Sequence, residues 1–227
     1  IPGLEVLIDS RLPEVENEAQ WRELVSDLKK ITGGVPIAVK IGSTHYLERE
    51  IKQLIDGGID VLVLDGSEGG THAGPPLLLD DMGLPSLPTL CRASKYFRDN
   101  KLTGKVSLIV SGGLIRPGDF AKSLALGADA IQIGTVAALA ISHTQVTNSI
   151  PWEPPTGDIY SDGKEKKKFD PDLGAKSLAN YFNSSSIELQ ALARSLGKKS
   201  LREIDRSDLV ALDPLYAEMA GVEYLGR

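Results

Sequence analysis

The chain has 227 residues, 41% of them hydrophobic, with 31 acidic against 25 basic side chains and a formal charge of -6. That length buries one sizeable core, the shortage of cations argues against a nucleic-acid partner, and no apolar run reaches the roughly 18 residues that a membrane span needs. One cysteine, Cys91, allows no intrachain disulfide; with no signal peptide at the start, the expected compartment is a reducing cytoplasm. Cys91 and three histidines without ligand spacing also argue against structural zinc. The opening "IPGLEVLID", with Ile1 in place of methionine, reads as entered midway, so a fragment or processed chain is expected.

In chain order, Glu18 to Lys30 places Trp21, Leu24, Val25 and Leu28 on one helical stripe. Four short β-branched runs bounded by turn residues then read as buried parallel strands: Pro36 to Ile41, Asp60 to Asp65, Val106 to Ser111 and Ala128 to Gly134. Helical patterns lie between them, over Glu48 to Ile55, Leu87 to Asp99 and Asp119 to Leu126. This alternation with short connections predicts βαβ units on a parallel sheet. "DGGIDVLVLDG" and "ALGADAIQIGT" repeat one design, in which glycine stops a helix and an acidic residue precedes an apolar strand that ends in glycine. The expected fold class is α/β, of the (β/α)8 TIM-barrel type, this chain supplying about the last four βα units; an open doubly wound sheet shares the pattern.

Three regions follow: residues 1–149 as a half-barrel, 150–172 as a proline-rich extended linker, and 173–227 as a helical C-terminal extension. Ser185 to Glu188 and Ser200 to Glu203 have capping-box spacing. Gly197 is expected to end the first tail helix, and Asp213-Pro214 to start another that stops at Gly221.

Two strands ending in "VSGGLIR" and "IQIGT" suggest a phosphate cradle. An anion needs several converging N–H donors, and glycine removes the Cβ that would hold it away. In a barrel the turns after the last two strands, with a helix N-terminus, form such a cradle; Ser111, Gly112, Gly113, Gly134 and Thr135 occupy those positions, and "GTVAALAI" supplies the helix. The glycine-rich loop "LDGSEGGTHAGPP" carries Asp65, Gly69, Gly70, Thr71 and His72 where a substrate or cofactor ring would lie. His72 reads either as a proton donor or as a solvent-facing bystander. Lys40, in "IAVKI", is either a site cation for developing negative charge or a snorkelling residue at the rim.

"VPIAVKI", "DVLVLDGSEGGTHAGPP" and "VSLIVSGGLIRPGDFAKSLALGADAIQIGT" resemble, in order and spacing, the FMN-binding domain of glutamate synthase, and the tail is similar to the C-terminal extension of glutamate-synthase-like FMN proteins. The resemblance implies an FMN-dependent oxidoreductase that reduces a 2-oxo acid imine, 2-oxoglutarate to glutamate, or carries out related amino-acid redox chemistry. It implies Lys40 beside the flavin or the 2-oxo acid, Asp65, Gly69, Gly70 and Thr71 as the flavin wall, and Ser111, Gly112, Gly113, Gly134 and Thr135 around the phosphate. Lys40 and His72 are the candidate catalytic residues. Where the family carries a cysteine cluster for an iron-sulfur centre, residues 137–152 read "AALAISHTQVTNSIPW" without cysteine, so no cluster is expected in this chain. The small-molecule partner is a 2-oxo acid or amino acid, and the missing half-barrel must come from the parent chain, another subunit or another copy. Alternatives are another FMN barrel such as a 2-hydroxy acid oxidase, a non-redox lyase or isomerase with Lys40 as a Schiff-base amine, and a catalytically idle module.

Overall fold

The computed structural model describes residues 12–69, 77–145, 159 and 163–226. Helix α1 (Glu18–Ile31) starts at Asn17, whose side chain accepts from the N–H groups of Ala19 and Gln20. Strands β1 (Ala38–Gly42), β2 (Val61–Asp65), β3 (Ser107–Ser111) and β4 (Ala130–Gln132) form one sheet in the order 1-2-3-4, parallel throughout. Between them run α2 (Leu47–Asp56), α3 (Ser86–Asp99) and α4 (Pro117–Ala125). A sheet built in chain order with a helix in each crossover is the expected α/β half-barrel. The last strand is shorter than its sequence pattern, Ala130–Gln132 within the predicted Ala128 to Gly134.

One face of the sheet meets the helices. Leu62 and Leu64 of β2 and Leu108 and Val110 of β3 are fully buried against Leu47, Ile51, Leu90, Ala93 and Phe97 of α2 and α3. Cys91 lies in this core, 2% exposed, and burial pushes its thiol above the ordinary range against a smaller opposing pull from Arg206 and Arg98. It therefore packs as a small hydrophobe. Iodoacetamide is expected to label it at least about a hundredfold more slowly in the native protein than in denaturant, and equal rates would contradict its burial.

The acidic residue of the repeated design has a structural task. Asp60 and Asp129 each precede a strand, and each carboxylate reaches a neighbouring chain segment: Ile37 N–H donates to Asp60 Oδ2 at 2.8 Å and Leu108 N–H to Asp129 Oδ2 at 2.7 Å. Lys29 of α1 adds an ion pair to Asp60 at 2.9 Å. The Ile37 N–H and then Lys29 hold the Asp60 carboxyl below the usual carboxylate range. A pKa lowered by folding makes this stabilisation complete above the unfolded value near pH 4 and removes it as pH falls through the folded value. Asp60→Ala is therefore expected to cost about 1 kcal/mol at pH 7, reduced for the exposure of the pair. Paired denaturant melts should show the cost shrinking as pH falls through the folded value of Asp60.

The tail departs from expectation at one cap. Ser185 begins no helix; it is buried within α6 (Pro171–Ser195), which starts at Asp170, whose carboxylate accepts from Asp172 and Leu173 N–H before Pro171 fills the first turn. Gly174 lets α6 cross closely over α5 (Thr135–Ser142), since a Cβ there would lie 2.7 Å from Phe169 and 3.2 Å from Ile141. Tyr181 Oη donates to Ile115 O at 2.8 Å, tying α6 to the turn after β3. Beyond Gly197, Ser200 accepts from Arg202 N–H, and α7 (Pro214–Ala220) starts at Asp213 and stops at the left-handed Gly221, both as read from the sequence. A two-stranded parallel pair, β5 (Val210–Ala211) and β6 (Glu223–Tyr224), flanks α7. Of the predicted linker, residues 150–158 and 160–162 lie outside the described residues.

Candidate functional site at the C-terminal edge of the sheet

The register assembles the site. Gly42, Asp65, Ser111 and Gln132 are partners across the four strands at their C-terminal ends. In parallel strands, residues in register share a face, as do residues two apart. Lys40, Asp65, Ser111 and Gln132 thus lie on the face opposite the helices, the inner face of a barrel. Lys40 and Gln132 are exposed there. Gln132 was missed in the sequence; its signal is a lone polar residue at the alternating position of "AIQIG".

Lys40 Nζ pairs with Asp65 Oδ2 at 2.8 Å, with side-chain exposures of 45% and 17%. A pair this open to solvent adds little stability, and its effect is to orient the ammonium. The other oxygen, Asp65 Oδ1, is buried with no hydrogen-bond partner among the described residues. The chain closes over it at Gly69, where a Cβ would lie 2.1 Å from Asp65 Oδ1. A buried carboxylate oxygen in that state calls for a donor.

The two glycine turns reach the same edge because β3 and β4 pair in parallel. Gly112 (φ +102) and Gly113 (φ +66) both have left-handed backbones that favour glycine. The space their Cβ atoms would fill is taken by protein, Ser86 Oγ at 2.7 Å from the first and Glu68 Cβ at 2.7 Å from the second. These two glycines therefore make room for Ser86 and Glu68, which differs from the anion-clearance argument made from sequence. Gly134 is open, with nothing within 4 Å of its Cβ position. Among the described residues the N–H groups of Gly112, Gly113 and Gly134 donate no hydrogen bond, and α5 begins at Gly134 without a side-chain cap. Uncommitted donors beside a helix N-terminus suit an anion. Gly70, Thr71 and His72 lie outside the described residues.

Two further contacts brace this edge. Arg92 of α3 donates to both Glu48 oxygens, at 2.9 and 2.5 Å, and to His45 O at 3.1 Å, fixing the loop after β1. The bidentate guanidinium holds the Glu48 carboxyl below the ordinary range. Outside the inner face, a cleft of about 510 Å³ opens between α3 and α4, bordered by Glu68, Ser86, Gly113, Arg116 and Lys122.

The chain is similar to known proteins in fold and in sequence. The structure resembles a flavocytochrome b2 L230A mutant with benzoylformate, at a TM-score of 0.51 and 19% identity, over 85% of this chain and 42% of that one; this likeness shows the fold. A glutamate synthase large subunit-like protein of Rhizobium meliloti is 34% identical over 224 residues, covering 89% of this chain and 49% of that protein. An archaeal-type glutamate synthase [NADPH] of Dehalococcoides mccartyi is 32% identical over 187 residues, covering 80% of this chain and 37% of that protein. The chain spans about half or less of the length of these relatives. The family model described as the conserved region in glutamate synthase matches residues 1–199. By that match, which takes in all four strands and both glycine turns, the chain belongs to the glutamate synthase family.

Proposed function

We propose that the chain supplies the C-terminal half of an FMN site in an oxidoreductase that reduces the imine of a 2-oxo acid, with 2-oxoglutarate and ammonia giving glutamate. The observation that carries this reading is the single edge on which Lys40, Asp65 and the uncommitted N–H groups of Gly112, Gly113 and Gly134 meet. The residues fit the cofactor: a dianionic phosphate matches the turn donors and the N-terminus of α5, and the orphaned Asp65 Oδ1 matches a hydrogen-bond donor. Ser111, Gly112, Gly113, Gly134 and Thr135 hold the phosphate, while Asp65, Gly69, Gly70 and Thr71 wall the ring system. When bound and reduced, FMN supplies the hydride for the imine carbon.

The chain's own residues then have defined tasks. Lys40 places a positive charge on the inner face, where negative charge develops on a carbonyl edge or a substrate carboxylate. Asp65 fixes the direction of that ammonium through the 2.8 Å pair. His72 is the proposed proton donor. The remaining barrel half closes the inner face against water, supplied by the parent chain, another subunit or a second copy; support comes from the exposed inner face and from the relatives' greater length. The stretch 137–152, which has no cysteine, is proposed to carry no iron-sulfur cluster, and the proposed compartment is the cytoplasm.

The test is anaerobic. Chemically reduced full-length protein with FMN should reoxidise on addition of 2-oxoglutarate with ammonium and form glutamate in equal amount, whereas either reagent alone should leave the flavin reduced. Bleaching of oxidised flavin by a 2-hydroxy acid, with no response to 2-oxoglutarate and ammonium, would instead assign a 2-hydroxy acid oxidase.

A further inference from the structure

The loop after β2 and the turn after β3 meet at one buried side chain. Ser86, the first residue of α3, is 4% exposed. Its backbone N–H donates to Glu68 Oε2 at 2.8 Å, and its hydroxyl lies 2.9 Å from the same carboxylate oxygen, 3.0 Å from Ser111 O and 2.8 Å from Gly112 O. Glu68 thus serves the N-terminus of α3, for which Pro85 offers no side-chain cap. The same two residues fill the space beside the turn. A Cβ on Gly66, Gly112 or Gly113 would meet Ser86 or Glu68 at 2.1 to 2.7 Å, and Gly66 N–H donates to Ser111 O at 3.0 Å. Three glycines from two loops therefore converge on one serine-carboxylate contact.

We propose that Glu68 and Ser86 are positioning residues for the cofactor phosphate: their contact holds the Gly112-Gly113 turn in its left-handed conformation and couples it to the loop that continues into Gly69. The inference rests on the FMN reading above and adds to it the residues that preorganise the phosphate turn. The physical basis is the cost of ordering. Two consecutive residues with positive φ have many other conformations when nothing fills the space beside them, and a ligand that must select one binds more weakly. Neither residue lies on the inner face with Lys40; they act through the turn. Phosphate binding is thereby linked to the order of the loop beside Asp65, because Glu68 and Gly69 are adjacent in that loop.

The discriminating measurement uses the full-length protein and two ligands, FMN and riboflavin, which differ only in the phosphate. The wild type should bind FMN at least about tenfold more tightly than riboflavin. In Glu68→Ala and Ser86→Ala the FMN affinity should fall about tenfold while the riboflavin affinity stays within about twofold, so that the preference collapses. Glu68→Gln keeps a carbonyl acceptor for Ser86 and should restore most of the preference, and it serves as the folded variant if either alanine substitution fails to fold. A wild-type preference that survives unchanged, or a parallel loss of both ligands, would overturn the positioning role and leave the FMN reading standing. A wild type that binds neither ligand would overturn both.

Discussion

Gly134→Glu is expected to leave the fold intact and to lower FMN affinity by at least about a hundredfold, because it sets a carboxylate beside the donors assigned to the phosphate. The position tolerates a side chain: its φ is -123° and nothing lies within 4 Å of the Cβ it lacks. The melting temperature should therefore stay within about 2 °C of the wild type. Gly134→Ala adds bulk without charge and should cost no more than about tenfold in affinity. The contrast with Gly113 is instructive. Valine there would force a β-branched residue to φ +66 and drive its Cβ to 2.7 Å from that of Glu68, so loss of flavin from Gly113→Val would report a damaged turn as readily as a lost contact. Flavin titration beside thermal melting separates the two causes. Unchanged FMN affinity in Gly134→Glu would remove Gly134 from the phosphate site.

Arg206→Ala should produce the largest loss of stability, about 2 to 3 kcal/mol. The Arg206 guanidinium donates to Ala220 O at 3.0 Å, at the last residue of α7, to Ser94 Oγ within α3 and to Leu126 O just past α4. Burial, then the nearby Arg98, pulls its pKa below the ordinary arginine value, yet the group keeps its charge at neutral pH. Removing it leaves the Ala220 carbonyl without this donor and opens a gap between α3 and the tail. Lysine has one compact ammonium in place of the fork and should recover little of the loss. Denaturant melts measure the cost, and alkylation of Cys91 locates it: faster native-state labelling in Arg206→Ala would show α3 opening where the tail detaches. A melt matching the wild type would mean that the tail docks without Arg206.

The sheet was legible because its two middle strands, β2 and β3, are fully apolar over their central residues. Val61 to Leu64 lies between Asp60 and Asp65, and Leu108 to Val110 between Ser107 and Ser111, and such runs admit few other folds. The glycine, acid and strand repeat was visible as well, but the roles of Asp60 and Asp129 required the partner strand, since each carboxylate caps an N–H some 20 residues earlier in the chain. The Ser185 cap misled because Ser-x-x-Glu is a local signal. Here it falls inside a continuous helix whose real start, Asp170-Pro171, lies in the stretch read as linker.

At the candidate site the residue types were legible and their pairings were not. Lys40 and Asp65 are 25 positions apart in the chain, and only the β1–β2 register brings them together. Glu68 and Ser86 gave no signal because their contact spans 18 positions through a turn and a helix start. The glycines of "VSGG" were conspicuous, but Gly112 and Gly113 make room for Ser86 and Glu68, while the space beside Gly134 is open.

A fluorescence titration of FMN with the purified full-length protein tests the flavin site most directly. Quenching should saturate at one FMN per chain, with inorganic phosphate competing weakly and Gly134→Glu shifting the curve to higher protein concentration. Free-flavin fluorescence that stays constant through stoichiometric protein would contradict the central claim that this edge of the sheet is half of a flavin site.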